Sequence, residues 1–121
     1  MRSPGPAHPA YTAAMTETEL MEAIRAMVTD LNLHAFHPAD SRRSWGPGFP
    51  DLVIAGIGGC IYRECKTEAG SLSPEQRRWG YVLQASGQRW AVWRPRHLAD
   101  GTIGRELAAV AAIQPGLWEA S

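Results

Sequence analysis

Two short segments joined by a glycine-rich turn constrain the fold of this chain more than any other feature. Residues 52–55 form a strongly apolar run that predicts a strand, and residues 60–66 predict a second one. Between them, residues 56–59 predict a tight turn. Two strands joined in this way form a β-hairpin, so the other elements must be arranged around it.

Two helices have clear start signals. Residues 16–19 read Thr-Glu-Thr-Glu, a capping box that opens a helix expected to end near Leu31. The apolar side chains of this helix recur at intervals of four, three and four and predict one buried stripe: Leu20, Ile24, Met27 and Leu31. Ser73 and Pro74 predict the cap and first residue of a second helix, which should end near Gly87.

The remaining segments complete an α/β pattern. Residues 33–36 predict a short strand, residues 89–93 a further strand stopped by Pro95, and residues 104–112 a last helix. The order is helix, strand, strand, strand, helix, strand, helix. That order predicts a mixed β-sheet flanked by helices.

Length and composition limit the possible classes of protein. Residues 1–15 are rich in proline and predict a disordered leader, and residues 16–121 predict a single domain. The formal net charge is zero, so any contact with a polyanion must be local. Neither a membrane span nor a secretory core is visible, which predicts a cytoplasmic protein. Cys60 and Cys65 should lie on opposite faces of one strand, which argues against a disulfide.

One basic residue differs from all the others. Lys66 is the only lysine in the chain, beside eleven arginines. An arginine stays charged in a protein, whereas a partly buried lysine shifts its pKa readily and presents a compact charge to one atom. Lys66 shares a strand face with Glu64 because side chains alternate along a strand, and the hairpin brings Asp51 to the same point.

Two carboxylates and one amine at this edge of the sheet suit a magnesium site. Mg²⁺ prefers oxygen ligands and keeps several of its waters. Such an ion lowers the pKa of a bound water and neutralises charge on a scissile phosphate. Lys66 would then orient the attacking water and screen the phosphate.

These residues resemble the PD-(D/E)xK nuclease superfamily and, more narrowly, its VRR-NUC branch. The resemblance covers roughly residues 16–97 and rests on Gly-Phe-Pro-Asp at 48–51, Glu-Cys-Lys at 64–66, the segment 67–79 and Ala-Val-Trp-Arg-Pro at 91–95. It implies a restriction-endonuclease-like fold and an endonuclease that cuts DNA with Mg²⁺ or Mn²⁺. Small stand-alone members, of bacterial or bacteriophage type, resemble Holliday junction resolvases that act as homodimers on branched DNA.

The resemblance also implies roles for individual residues. Asp51 and Glu64 match the metal-binding acids, Lys66 matches the catalytic lysine, and the backbone carbonyl of Cys65 would be a further ligand. An acid on the first helix is expected as well, directly or through water, and three compete: Glu17, Glu19 and Glu22. Glu19 is already explained by the capping box. Helical geometry favours Glu17, which extends the buried stripe, over Glu22, which points away from it.

Several polar residues keep two interpretations. Gln76 matches a glutamine placed near the metal in related nucleases, but it is equally the capping-box partner of Ser73. Five residues are expected either to contact DNA or to be ordinary solvated surface: Arg42, Arg43, Ser44, Arg77 and Arg78. Trp45 and Trp118 are candidates for a dimer seam or a DNA contact. The remaining tryptophans are expected in the core: Trp79, Trp90 and Trp93.

Two other functions compete with a junction-cutting enzyme. The first is a nicking or flap-type nuclease with looser substrate choice. The second is a DNA-binding module that kept the fold but lost the activity. The intact set of Asp51, Glu64 and Lys66 argues against the second, because a binding module has no need of a buried acid pair.

Overall fold

A computed structural model describes residues 13–38 and 45–112 of the chain. In chain order its elements are α1 (Glu17–Asp30), β1 (His34–Phe36), β2 (Leu52–Gly56), β3 (Gly59–Cys65), α2 (Pro74–Ala85), β4 (Arg89–Trp93), α3 (Pro95–Ala99) and α4 (Thr102–Ala111). None of the helices in these two ranges is long and apolar enough to cross a lipid bilayer.

The four strands form one mixed sheet in the order β1-β2-β3-β4. β2 pairs antiparallel with both β1 and β3, whereas β3 and β4 are parallel. The parallel connection runs through α2, as a crossover between parallel strands requires. The predicted hairpin and the predicted mixed sheet flanked by helices are both confirmed.

The core lies between one face of this sheet and the helices α1 and α4. The hairpin register sets Leu52 opposite Arg63 and Ile54 opposite Ile61, so these side chains share the inner face with Cys65. The helices cover that face with buried side chains: Leu20, Ile24, Val28, Ile103, Leu107 and Val110. The opposite face of the sheet carries Asp51, Glu64 and Trp90 and is covered by α2.

The buried stripe of α1 differs from the predicted one. Its inward side chains are Leu20, Ile24 and Val28, while Met27 is only partly buried and Leu31 is 38 % exposed. The predicted position of Leu31 was therefore wrong, Met27 packs against the core only at its edge, and Val28 was missed. Val28 lies one turn beyond Ile24, and Leu31 is the C-terminal cap, where the helix no longer directs it towards the core. The capping box of Thr16 and Glu19 is confirmed.

The C-terminal segment contains one more helix than predicted. Pro95 does stop β4, but it also occupies the first position of the short helix α3, a position where proline is tolerated. Gly101, with a φ of +86°, then turns the chain into α4, which begins at Thr102 rather than at residue 104. Of the tryptophans expected in the core, Trp93 is fully buried, whereas Trp79 in α2 and Trp90 in β4 are half-buried.

Two helical glycines allow a matched test of this packing. A Cβ at Gly80 in α2 would lie 2.6 Å from the ring of Trp90, whereas a Cβ at Gly104 in α4 would lie 3.4 Å from the flexible end of Met27. We expect Gly80→Ala to lower the free energy of unfolding by about 1–3 kcal/mol through overpacking. Gly104→Ala should leave it unchanged or raise it by up to about 1 kcal/mol through helix propensity. Urea denaturation measures both, and equal effects would contradict the packing of α2 on Trp90.

Candidate active site

The hairpin brings two carboxylates directly opposite each other. Because Leu52 pairs with Arg63, the next position in the same register sets Asp51 against Glu64. Oδ2 of Asp51 accepts a hydrogen bond from the backbone N–H of Cys65 at 2.9 Å, which fixes the Asp51 side chain across the strand end. The convergence expected from the sequence is therefore present in the folded chain.

Glu64 is the more constrained of the two carboxyl groups. Only 2 % of the residue is exposed, and its Oε1 accepts a hydrogen bond from Nε2 of Gln76 at 2.8 Å. Its other oxygen, Oε2, is buried and finds no hydrogen-bond partner among the described residues. Burial and, next, the charge of Asp51 raise the pKa of Glu64 to about 8.

A buried carboxylate oxygen without a partner is costly unless something else satisfies it. A divalent cation is suited to this position, because it would neutralise two adjacent carboxylates and provide the missing partner for Oε2. The donor set of Asp51, Glu64 and the Cys65 carbonyl consists of hard oxygens, which Mg²⁺ and Mn²⁺ prefer. The residues present therefore fit the metal that the sequence predicts.

Lys66 lies one residue beyond the end of β3. Its backbone N–H donates to the carbonyl of Trp93 at 3.0 Å, so the pairing of β3 with β4 continues through this residue. The positive charge of Lys66 lowers the pKa of Glu64, although less than burial and Asp51 raise it. The structure thus gathers Asp51, Glu64 and Lys66 at one end of the hairpin.

Gln76 fulfils both of the roles that the sequence left open. Its Oε1 accepts from the backbone N–H of Ser73 at 2.8 Å, and Oγ of Ser73 accepts from the Gln76 N–H at 3.1 Å, which completes the capping box. Its Nε2 remains available and donates to Glu64. One amide side chain can do both because its oxygen accepts and its nitrogen donates.

The loop before Asp51 rests on the start of α2. Gly48 has a φ of +86°, and a Cβ there would lie 2.6 Å from the backbone of Glu75, so this position requires glycine. Trp79 holds the same loop: its Nε1 donates to the carbonyl of Pro47 at 3.2 Å, and its ring meets Phe49 edge-on at 5.0 Å. The helix that supplies Gln76 therefore also positions the segment that leads into Asp51.

The acids of the first helix do not join this pair to form a larger cluster. Glu17 is half-buried and lies near the Cys65 thiol, whose pKa is raised mainly by burial and in part by this carboxylate. Glu22 is exposed and lies 4.0 Å from Arg25, and Glu19 serves the capping box. Within residues 13–38 and 45–112, no three acidic, histidine or cysteine side chains converge as a metal site. A role for Glu17 therefore stays a prediction.

The predicted DNA contacts divide into two groups. Arg77 and Arg78 are exposed on α2, and Arg77 donates to the carbonyl of Leu72 at 3.5 Å. Trp45 is fully exposed. The other predicted residues lie outside the described parts of the chain: Arg42, Arg43, Ser44 and Trp118.

Sequence reasoning missed a buried ion pair directly beneath the site. Arg63 is 6 % exposed and donates to Oε1 of Glu106 at 2.9 and 3.2 Å, and Trp93 donates to the same oxygen at 2.9 Å. This network ties α4 to β3 and β4. The alternation of side chains along β3 could have indicated this ion pair. Arg63 shares its strand face with the buried Ile61 and Cys65, so its guanidinium needs an acid inside the protein.

Comparison with known proteins supports the fold. No family model matches the sequence, and no curated protein matches it either. Among solved structures, the chain is similar to a protein described as a VRR_NUC domain protein, with 17 % identity and a TM-score of 0.59. The similarity covers 83 % of this chain and 98 % of that one. At the level of the fold, the chain therefore resembles a VRR-NUC domain, with the restriction-endonuclease-like arrangement of a mixed sheet flanked by helices.

The pKa of Glu64 makes metal-free stability depend on pH. Between its ordinary pKa of 4.5 and the raised value of about 8, the folded protein keeps a proton that the unfolded chain has lost. The free energy of unfolding therefore falls as the pH rises through this interval, and the loss is complete above about pH 8. In chelator, we expect the unfolding temperature to drop by several degrees between about pH 5 and pH 8 relative to Glu64→Gln, which cannot titrate.

Addition of Mg²⁺ or Mn²⁺ provides the complementary measurement. A cation that binds the ionised pair stabilises the folded state, so saturating metal should raise the unfolding temperature of the wild type most at high pH. Glu64→Gln should show little response to metal. A pH slope of equal size in both proteins would rule out Glu64 as its source.

Proposed function

We propose that this protein is a metal-dependent DNA endonuclease that hydrolyses phosphodiester bonds. The observation that carries the proposal is the pairing of half-buried Asp51 with buried Glu64, whose Oε2 lacks a partner within the described residues. The charge of Lys66, the only lysine of the chain, acts on Glu64. The likeness of the fold to a VRR_NUC domain protein supports a nuclease domain.

Each residue of the site has a chemical task in this proposal. Asp51, Glu64 and the Cys65 carbonyl would hold Mg²⁺ or Mn²⁺, and Glu17 would assist through a bound water. The bound metal supplies neutralisation of the phosphate charge and an acidified water. Lys66 orients the attacking water and screens the phosphate, while Gln76 holds Glu64 in its orientation.

We further propose branched DNA as the substrate and a homodimer as the active form. The Holliday junction resolvases that the sequence resembles act as homodimers, and a two-fold dimer offers two sites for symmetric cuts. Arg77 and Arg78, exposed on the helix that carries Gln76, supply positive charge for the DNA backbone. Arg42, Arg43 and Ser44 are proposed to extend this contact.

Cleavage of labelled DNA in Mg²⁺, Mn²⁺ and chelator tests the activity. We expect Asp51→Ala to lose cleavage by on the order of 10²-fold or more, with loss of metal binding in calorimetry. Lys66→Arg should also lose activity, because it keeps the charge but not the compact titratable amine. Glu17→Gln should reduce the rate, and the matched change Glu22→Gln, on an exposed part of the same helix, should not.

Substrate choice separates the proposal from its rivals. Preferred cutting of a four-way junction over a flap and a plain duplex supports a resolvase-like enzyme, whereas comparable rates on all three indicate a nicking or flap-type nuclease. DNA binding without cleavage or metal binding indicates an inactive module. Wild-type rates in Asp51→Ala and Lys66→Ala would refute the site itself.

A second pair of variants separates the two roles of Gln76. Ser73→Ala removes the helix cap but leaves the hydrogen bond from Gln76 to Glu64, so it should cost about 1 kcal/mol of stability with kcat unchanged. Gln76→Glu keeps an acceptor for the Ser73 N–H but replaces the donor to Glu64 with a negative charge. It should lower kcat and weaken the metal-free fold at about pH 8, where Glu64 ionises. Equal kcat values for Ser73→Ala and Gln76→Glu would contradict the separation of the capping role of Gln76 from its role at Glu64.

A further inference from the structure

One arginine holds the turn that follows Lys66. Nη1 of Arg94 donates to three carbonyl oxygens of this turn, those of Thr67 at 2.6 Å, Glu68 at 3.2 Å and Gly70 at 2.8 Å. Arg94 directly follows β4, whose last residue accepts the hydrogen bond from the Lys66 N–H. Lys66 is thus tied to the last residue of β4, and three carbonyls of the turn are tied to the residue that follows β4.

The turn lies beside the side chain of Lys66. A Cβ added at Gly70 would lie 3.7 Å from Cδ of Lys66 and 2.8 Å from Oγ1 of Thr67. The Gly70 backbone therefore borders the aliphatic stem of the lysine, at a position where a larger residue would crowd the turn. The charge at the other end of this side chain acts on Glu64, whose pKa it lowers against the larger effects of burial and Asp51.

We propose that Arg94 is a positioning residue for Lys66. By holding residues 67–70 against the lysine stem, it directs the ammonium group towards the Asp51 and Glu64 pair. A lysine side chain has four rotatable methylene groups, so its head is poorly placed unless the stem is confined. The catalytic consequence rests on the proposed nuclease function, whereas the confinement of Lys66 is a property of the folded chain alone.

Arg96, in α3, provides a matched control because it contacts the same turn. Its backbone N–H donates to Oε1 of Glu68 at 2.6 Å, and its guanidinium lies 3.6 Å from Oε2 of Glu68. The Arg96 side chain is 58 % exposed. Arg96→Met removes one positive charge and this ion pair but leaves the backbone bond and all three bonds from Arg94.

The single lysine makes a direct measurement possible. Protein grown with lysine carrying ¹³C at Cε gives one side-chain signal, because Lys66 is the only lysine. In metal-free wild type, we expect this signal to show restricted motion and a shift distinct from that of the unfolded chain. Arg94→Met should move the signal towards the unfolded position and increase its mobility, while Arg96→Met should leave it unchanged. A wild-type signal in folded Arg94→Met, or an equal change in Arg96→Met, would overturn the inference.

Kinetics give the second readout. Arg94→Met should lower kcat by on the order of tenfold to a hundredfold, since a small misplacement of a catalytic group costs that much, with KM and the metal-induced rise in unfolding temperature unchanged. Arg94→Lys keeps donors at this position but does not reach all three carbonyls. Its kcat should therefore lie between the kcat of the wild type and that of Arg94→Met. If Arg94→Met does not fold, Arg94→Lys decides: a lowered kcat at unchanged KM supports the inference, and a wild-type kcat overturns it.

The two hypotheses fail in different ways. If the Lys66 signal responds to Arg94→Met but the wild type cleaves no DNA, the proposed function is wrong and the positioning stands. If the wild type cleaves DNA and folded Arg94→Met does so at the same kcat, the positioning is wrong and the function stands.

Discussion

The pairing register of one β-hairpin determines the whole candidate site. Asp51 and Glu64 face each other because Leu52 pairs with Arg63, and a shift of one residue would send every side chain of the strand to the opposite face. The apolar side chains of the inner face prevent such a shift, since Leu52, Ile54 and Ile61 are all buried against α1 and α4. The hydrophobic core therefore enforces the contact between two like charges.

Arg63 and Glu64 are consecutive buried residues of β3, but they differ in how completely their polar atoms are hydrogen-bonded. Arg63 points to the inner face, where Glu106 and the carbonyls of Tyr62 and Arg89 satisfy its donors. Glu64 points to the other face, where Gln76 satisfies one oxygen and the described residues leave the second without a partner. Burial of a paired charge is a structural feature. Burial of an incompletely paired one indicates a group that binds something else.

Local signals in the sequence predicted most of the fold and the centre of the site. Turn glycines, capping boxes and alternation act over a few residues, and they placed the hairpin, both capped helices, and Asp51 with Glu64 and Lys66. The missed features depend on distant partners. Arg63 meets Glu106 across 43 residues, and Arg94 reaches the carbonyl of Thr67 across 27, contacts that no local pattern encodes. The stripe of α1 was misplaced only in its last turn, where Val28 is buried while Leu31, the C-terminal cap, is exposed.

The same geometry determines how metal binding and folding are linked. Asp51 and Glu64 are fixed by hydrogen bonds from the Cys65 N–H and from Gln76, so their ordering entropy is lost during folding and not when a cation binds. Their mutual repulsion is also present in the folded chain, where a proton on Glu64 relieves it because the pKa of this group is raised to about 8. A cation bound by this pair would have to displace that proton, and the two carboxyl groups would already be in place to hold it. In small zinc domains the metal builds its own site; here the hairpin positions the two carboxyl groups without metal, so any affinity for a cation should follow the ionisation of Glu64.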